Sequence, residues 1–518
     1  MSLLREKISL RFGERRGWIT PARFMGIVFL VGVVWLVFLF LRMPKQTWVD
    51  GLLESWYMSK GLLIYKDFTS QYTPLLYLIM WVFHKIWGFG QEPTIWLSLV
   101  SSVMVFVTLA FVSTKWLTGW YRVLPLLFFL VWEPIVGGNH YGTMAFHEMV
   151  DLLALVMWFE WYRRGGKVAA LFLGFFLGAG LMSTQIVGGF VIVIFISLVF
   201  RWWQKRGKWL TWPWAIVGFL IPVITVVGWL VGKGLISWFY YWAVKYYFYG
   251  YAYSLGRGWD NILIYFSIFL PLLFVVAAAM LWFFCKEARV QWRKKDVELS
   301  QLGWFFFILL SLPLPFWFAI FHPNRFQMGL AIFALIFGWG FELLMMVRRR
   351  RWLSWGLMGL ILCCNLVGVY RVVIPKLTWG WNYALEKNVL TRIYSDDPMY
   401  QVEEWVRRNT RSDDKLMATT DSMIYLDTDR LPVSRRVTTN LPQAYYPLEE
   451  FAKELSINPP DYWIIDERNW QRFRDFGKGD AAEMLIGILN CEPLVVKFDY
   501  VTIRKHEVGK PLCISDVD

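Results

Sequence analysis

Runs of about twenty apolar residues, each closed by a short loop, leave this chain one kind of fold. A helix of that length crosses the hydrocarbon core of a bilayer, and a soluble domain seldom needs several. The first run is 24–41, and comparable runs recur as far as residue 370. The chain is 57% hydrophobic, 19% aromatic and only 18% charged, outside the range of ordinary soluble domains. Its formal net charge of +14 could suggest nucleic acid, but the distribution argues otherwise. Basic residues gather in short loops between runs: Arg15-Arg16, Arg163-Arg164, Lys205-Arg206-Lys208, Arg293-Lys294-Lys295 and Arg348 to Arg351. That pattern follows the rule that cytoplasmic loops are positive, so the expected partner is membrane lipid and not nucleic acid.

Placing every basic loop on one side predicts about eleven spans: 24–41, 94–114, 122–137, 149–163, 167–182, 186–202, 212–232, 262–284, 303–320, 327–346 and 353–370. The N-terminus is then cytoplasmic. The first run exceeds a signal-peptide core and no small-residue cleavage site closes it, so it is expected to stay as an anchor. Residues 73–87 are apolar but too short to cross, and contain His84 and Lys85. They read as an interfacial helix in the first outer loop. The expected fold is a polytopic α-helical membrane domain, 1–375, in the cytoplasmic membrane.

From residue 376 charges of both signs become frequent, and short strand-like runs appear at 415–419, 462–465, 495–498 and 500–503. Helical patterns lie between them, at 399–408 and 448–455. The expectation is an extracytoplasmic α/β domain, 376–518. Cys491 and Cys513 both fall in it, and a disulfide between them is compatible with that compartment.

Chemistry-bearing residues collect at the expected outer surface. Asp50 stands where the first span ends, with Glu54 one helical turn on. Asn139-His140-Tyr141, His147, Glu148 and Asp151 lie at the mouth of the third and fourth spans. Ionisable groups in such runs usually face a cavity or a partner. His322-Pro323-Asn324-Arg325 ends the ninth span, where an arginine can hold a phosphate by paired hydrogen bonds. Four of the five histidines (His84, His140, His147, His322) map outward, and with two carboxylates they could bind a divalent ion. The loop 238–259 is dense in tyrosine and tryptophan, as an interfacial aromatic belt or as an entrance for a lipid carrier. No nucleotide-binding glycine loop is apparent.

On these residues the chain resembles the GT-C membrane glycosyltransferases of the protein O-mannosyltransferase and aminoarabinose transferase type. Asp50 falls on the family's acid in the first outer loop. Gly61 to Tyr65, Tyr72-Thr73-Pro74-Leu75 and Ile86-Trp87-Gly88 follow its subsequent pattern. Glu148 falls on its second acid and Arg325 on its later outer arginine. Two positions depart: Gly51 follows Asp50 where the family often has a second acid, and Thr184-Gln185 stand where it often has a lysine.

The resemblance implies an inverting transfer of sugar from a polyprenyl-phosphate carrier to a hydroxyl of a lipid, glycan or protein acceptor in the cell envelope. Asp50 would be the general base. Arg325, with His322 or Lys66, would steady the phosphate. Glu148 would orient the acceptor or, with a histidine, a divalent ion; Glu54, His140, His147 and Asp151 would assist. Three other classes remain open: a carrier or flippase without chemistry, a structural membrane subunit, and an oligosaccharide polymerase or ligase.

Overall fold

In this computed structural model the described residues are 20–42, 51–70, 72–89, 91–136, 144–203, 211–251, 323–346, 398–418, 423–434, 454–455, 457–467 and 491–507, with 356 and 370. The helices, in chain order, are α1 (Pro21–Arg42), α2 (Leu52–Ser59), α3 (Leu75–Trp87), α4 (Gln91–Trp116), α5 (Leu124–Val136) and α6 (Met144–Arg164). They continue with α7 (Lys167–Ser183), α8 (Gly188–Trp203), α9 (Trp212–Gly232), α10 (Pro323–Met346), α11 (Pro398–Asn409) and α12 (Met423–Thr428). Among the described residues, three helices are long and apolar enough to cross a membrane, at Pro21–Phe40, Trp96–Trp116 and Trp212–Gly232. The expected spans 262–284 and 303–320, and nearly all of 353–370, lie outside the described residues.

The chain divides into two compact units. The first comprises Met1–Thr47, Ile95–Thr225 and Gly258–Glu386. Its helices turn large apolar side chains outward, among them Leu30, Val31 and Val34 of α1 and Ile192 and Val199 of α8, as a lipid-facing surface requires. Inside, α6 packs along α7, and α10 packs against both α5 and α6. Close approach is built from small residues. A Cβ on Gly174 of α7 would lie 1.8 Å from the Ala215 carbonyl oxygen of α9, and one on Gly218 would lie 1.9 Å from that of Leu171. Only a bare backbone allows this contact, which is how helices gain dispersion energy where lipid offers no hydrophobic drive.

A proline inside a helix needs a compensating partner. Pro134 of α5 cannot donate to the Leu130 carbonyl one turn back. The Trp35 indole N–H of α1 donates there instead, at 3.4 Å. Helix α6 begins at Met144, earlier than the apolar run at Met149 suggested. The intervening His147 and Glu148 are buried by neighbouring helices, so the helix continues through them.

The second unit comprises Trp48–Thr94, Val226–Arg257 and Lys387–Asp518. It contains α2 and α3, the helical stretch Ile236–Phe239 running into a π-helix at Tyr240–Tyr251, and a four-stranded sheet. The strands are β1 (Leu416–Ala418), β2 (Tyr462–Asp466), β3 (Leu494–Phe498) and β4 (Val501–Lys505), in the order β1-β2-β4-β3. β1 and β2 are parallel; β2–β4 and β4–β3 are antiparallel. Every residue of β2 is buried, as suits a central strand, whereas edge strand β3 is largely exposed. The four strand-like runs of the sequence are thus the four strands of this sheet. The helix expected at 399–408 is α11, whereas only residues 454–455 of the expected helix 448–455 are described. Cys491 is exposed just before β3, and Cys513 lies outside the described residues.

Candidate active site

In the first unit, buried carboxylates meet at one end of the helices. Glu133, near the C-terminus of α5, is 1% exposed, as are Glu148 and Asp151 near the N-terminus of α6. Glu133 Oε1 accepts from Ser102 Oγ of α4 at 3.0 Å and from Gln327 Nε2 of α10 at 3.0 Å. Glu148 Oε1 accepts from the main-chain N–H of Ala331, one turn further along α10, at 2.8 Å. Two acids from two helices therefore hold one turn of a third. Glu133 Oε2, Glu148 Oε2 and Asp151 Oδ2 are buried with no hydrogen-bond partner among the described residues. Such groups are expensive unless function retains them. Glu133 and Glu148 are close enough for their charges to interact.

Helix geometry relates the remaining residues of α6. His147 and Asp151 are four apart and share a face, and Glu148, three residues before Asp151, also lies near it. His147 faces the Ser183 main chain of α7, and Asp151 lies opposite Gly180 of the same helix. Arg325 falls in the first turn of α10, two residues before Gln327, and its side chain lies outside the described set. His140, His322 and Asp50 lie outside the described residues. Among the described residues, no group of three His, Cys, Asp or Glu side chains is disposed to hold a metal ion.

Sequence reasoning passed over Glu133. Its signal was present: a single acid inside LPLLFFLVWEPIV is the kind of intramembrane charge that needs a partner. Gln327 escaped for the opposite reason, since an uncharged amide at the start of a span raises no electrostatic alarm.

In the second unit the first loop is tightly made. Gly51 has φ +95°, open to glycine and strained for other residues, and starts α2 directly after Asp50. Glu54, half-buried, accepts from the Gly51 N–H at 2.5 Å, so it caps the helix from its third position. Ser55 Oγ and His84 Nδ1 are 2.8 Å apart and tie α2 to α3. Burial holds His84 down to about 4, which keeps it neutral and favours a structural role. Tyr65 takes a left-handed φ of 69° and donates its hydroxyl to the Tyr72 carbonyl at 2.6 Å. Burial pushes the Tyr57 and Tyr65 hydroxyls well up, so both stay un-ionised. Lys66 is exposed on the next turn, and Asp67 accepts from the Leu63 N–H at 2.8 Å. α3 is 13 residues long, about 20 Å, too short to span. It buries Leu76, Tyr77, Met80 and His84 and leaves Val82, Ile86 and Trp87 exposed, the amphipathic division of an interfacial helix.

No protein-family model matches the chain, and no curated protein matches it in sequence. Solved structures do match. ArnT from Cupriavidus metallidurans bound to undecaprenyl phosphate is similar over 93% of this chain and 98% of its own, at 10% identity and a TM-score of 0.54. The archaeal oligosaccharyltransferase AglB from Archaeoglobus fulgidus, in complex with an inhibitory peptide and a dolichol-phosphate, is similar over 95% of this chain and 75% of its own, at 11% identity and a TM-score of 0.56. The chain therefore has the fold of the GT-C membrane proteins.

Proposed function

We propose that this chain, with its GT-C fold, is an inverting glycosyltransferase of the cytoplasmic membrane that uses a polyprenyl-phosphate sugar. The observation that carries the reading is the likeness to ArnT along nearly the whole of both chains, in a structure that holds undecaprenyl phosphate. On this reading the polytopic domain has about eleven spans, its outer end works on a lipid-borne donor, and residues 376–518 form an extracytoplasmic domain.

Asp50 takes the proton of the acceptor hydroxyl as the acceptor oxygen forms its bond to the anomeric carbon. The bond from that carbon to the carrier phosphate breaks, and its electron pair leaves on polyprenyl phosphate. Attack from the face opposite the leaving group inverts the anomeric centre. Arg325, with His322 or Lys66, steadies the charge that grows on the phosphate. Glu148 orients the acceptor. The bonds that Gln327 and the Ala331 N–H donate to Glu133 and Glu148 support the role of Arg325, since they steady the helix whose first turn carries it. The reading is tested by giving purified protein in lipid a panel of radiolabelled polyprenyl-phosphate sugars with membrane extract as acceptor. Transfer of one sugar with inverted configuration is expected; retained configuration rejects the single displacement.

One observation favours a second reading, a carrier that moves a lipid-linked or polar solute. Glu133, Glu148 and Asp151 are buried among apolar helices, and ionisable groups kept inside membrane helices also serve as solute or proton sites in carriers. A carrier would translocate a fluorescent polyprenyl-phosphate sugar between leaflets without releasing it.

A further inference from the structure

The first loop and the C-terminal sheet belong to the same compact unit, although hundreds of residues separate them in sequence. Their contact runs through α2 and α12. Lys60, the residue that closes α2, places Nζ 2.6 Å from Asp429 Oδ1. Asp429 follows α12 and has φ +54°, a left-handed position that helix ends normally give to glycine. The helix end there is complete without its side chain. The Asp429 N–H donates to the Leu426 carbonyl and the Arg430 N–H to the Tyr425 carbonyl, the paired bonds of a Schellman stop. Arg407 donates twice to the Asp427 carbonyl, at 3.0 and 2.8 Å, and buried Arg430 donates to that of Thr428 at 2.8 Å. No local need explains an aspartate where glycine would be relaxed. What its carboxylate does is reach Lys60.

We propose that Asp429 and Lys60 are positioning residues through which the C-terminal domain holds α2, and with it the acid-bearing loop, in place for transfer. This rests on the reading of the chain as a glycosyltransferase with Asp50 as base. The pair is 38% and 65% exposed, so it contributes little to stability and is screened by salt. That is the behaviour of a detent, which sets an alignment without holding the fold together.

Asp429→Gly separates the two roles. Glycine suits the left-handed position, so the thermal midpoint should stay level or rise, while amide exchange in residues 52–59 quickens and turnover falls about two- to five-fold, the range an exposed ion pair supplies. At ~1 M salt the wild type should fall to the rate of the variant, because the pair is then screened. Lys60→Glu should mimic the loss, and Lys60→Glu with Asp429→Lys should restore it. Unchanged exchange in Asp429→Gly overturns the contact. Faster exchange with unchanged turnover overturns the positioning role. A fall in thermal midpoint that tracks the loss of turnover makes Asp429 merely structural and also overturns it. If the wild type turns over no donor, the enzymatic reading fails, and with it the role in transfer; the exchange arm alone still decides whether Asp429 holds α2.

Discussion

Gln327 donates its side-chain amide to Glu133 across 3.0 Å, joining α10 to α5 two residues after Arg325. The same Glu133 oxygen accepts from Ser102 of α4, so three helices meet at one atom. Removing the acceptor strands two buried donors. Glu133→Ala should therefore destabilise the protein by about 1–3 kcal/mol, while Glu133→Gln, which keeps an acceptor oxygen, should cost clearly less. Thermal unfolding in detergent or lipid checks the pair. Equal losses in both variants would mean that the ionised carboxylate, and not its hydrogen bonds, matters there.

Arg325 tests what α10 presents. On the proposed reading its guanidinium grips the carrier phosphate, and a lysine keeps the charge but loses the fork. Arg325→Lys should fold normally and lose about 10²-fold in turnover, the scale of one charge-stabilising donor. Steady-state turnover of the preferred donor checks this; a loss confined to the acceptor KM would move Arg325 to the acceptor side.

His84 makes a prediction about pH. Below about pH 6.5 the unfolded chain takes up a proton that folded His84 refuses until about pH 4. Stability should therefore fall as pH drops through that window and stop falling, on this group's account, below it. His84→Gln removes the titration and should flatten that limb of the curve. Tryptophan fluorescence melts across the window measure the difference.

The glycine contacts between α7 and α9 give a sharper stability test. Gly174→Leu drives a side chain into the Ala215 backbone, which cannot step aside. A loss above the usual ~1–3 kcal/mol of overpacking is expected, seen as poor yield and a lowered melting temperature. Gly228→Ala is the control: among the described residues nothing lies within 4 Å of its added Cβ, and alanine should gain about 0.5–1 kcal/mol in a helix interior.

Much of the fold was legible because two periodic constraints write it openly. Apolar runs marked α1, α5, α7, α9 and α10 as helices, and the strand-like runs marked the terminal sheet. Shortness and amphipathicity separated α3 from the spans. What stayed hidden depends on contacts distant in sequence. Nothing near Asp429 announces Lys60, and the start of α6 was placed too late because the apolar run itself begins only at Met149, whereas the helix starts at Met144. Of the candidate site, Glu148 was legible as an acid at a helix mouth, but its bond to the Ala331 main chain was not. Glu133 carried a readable signal but stands inside its apolar run and not at the expected loop boundary, where acids mark a site most openly.

On the proposed reading, Asp50 at the outer end of the first span drives sugar transfer from a lipid phosphate. The most direct measurement is release of radiolabelled sugar from a polyprenyl-phosphate donor by purified protein in lipid, wild type beside Asp50→Asn. Turnover by the wild type is expected, with a loss of about 10²–10⁴-fold in the variant and donor binding retained. Near-normal turnover by Asp50→Asn would contradict that reading.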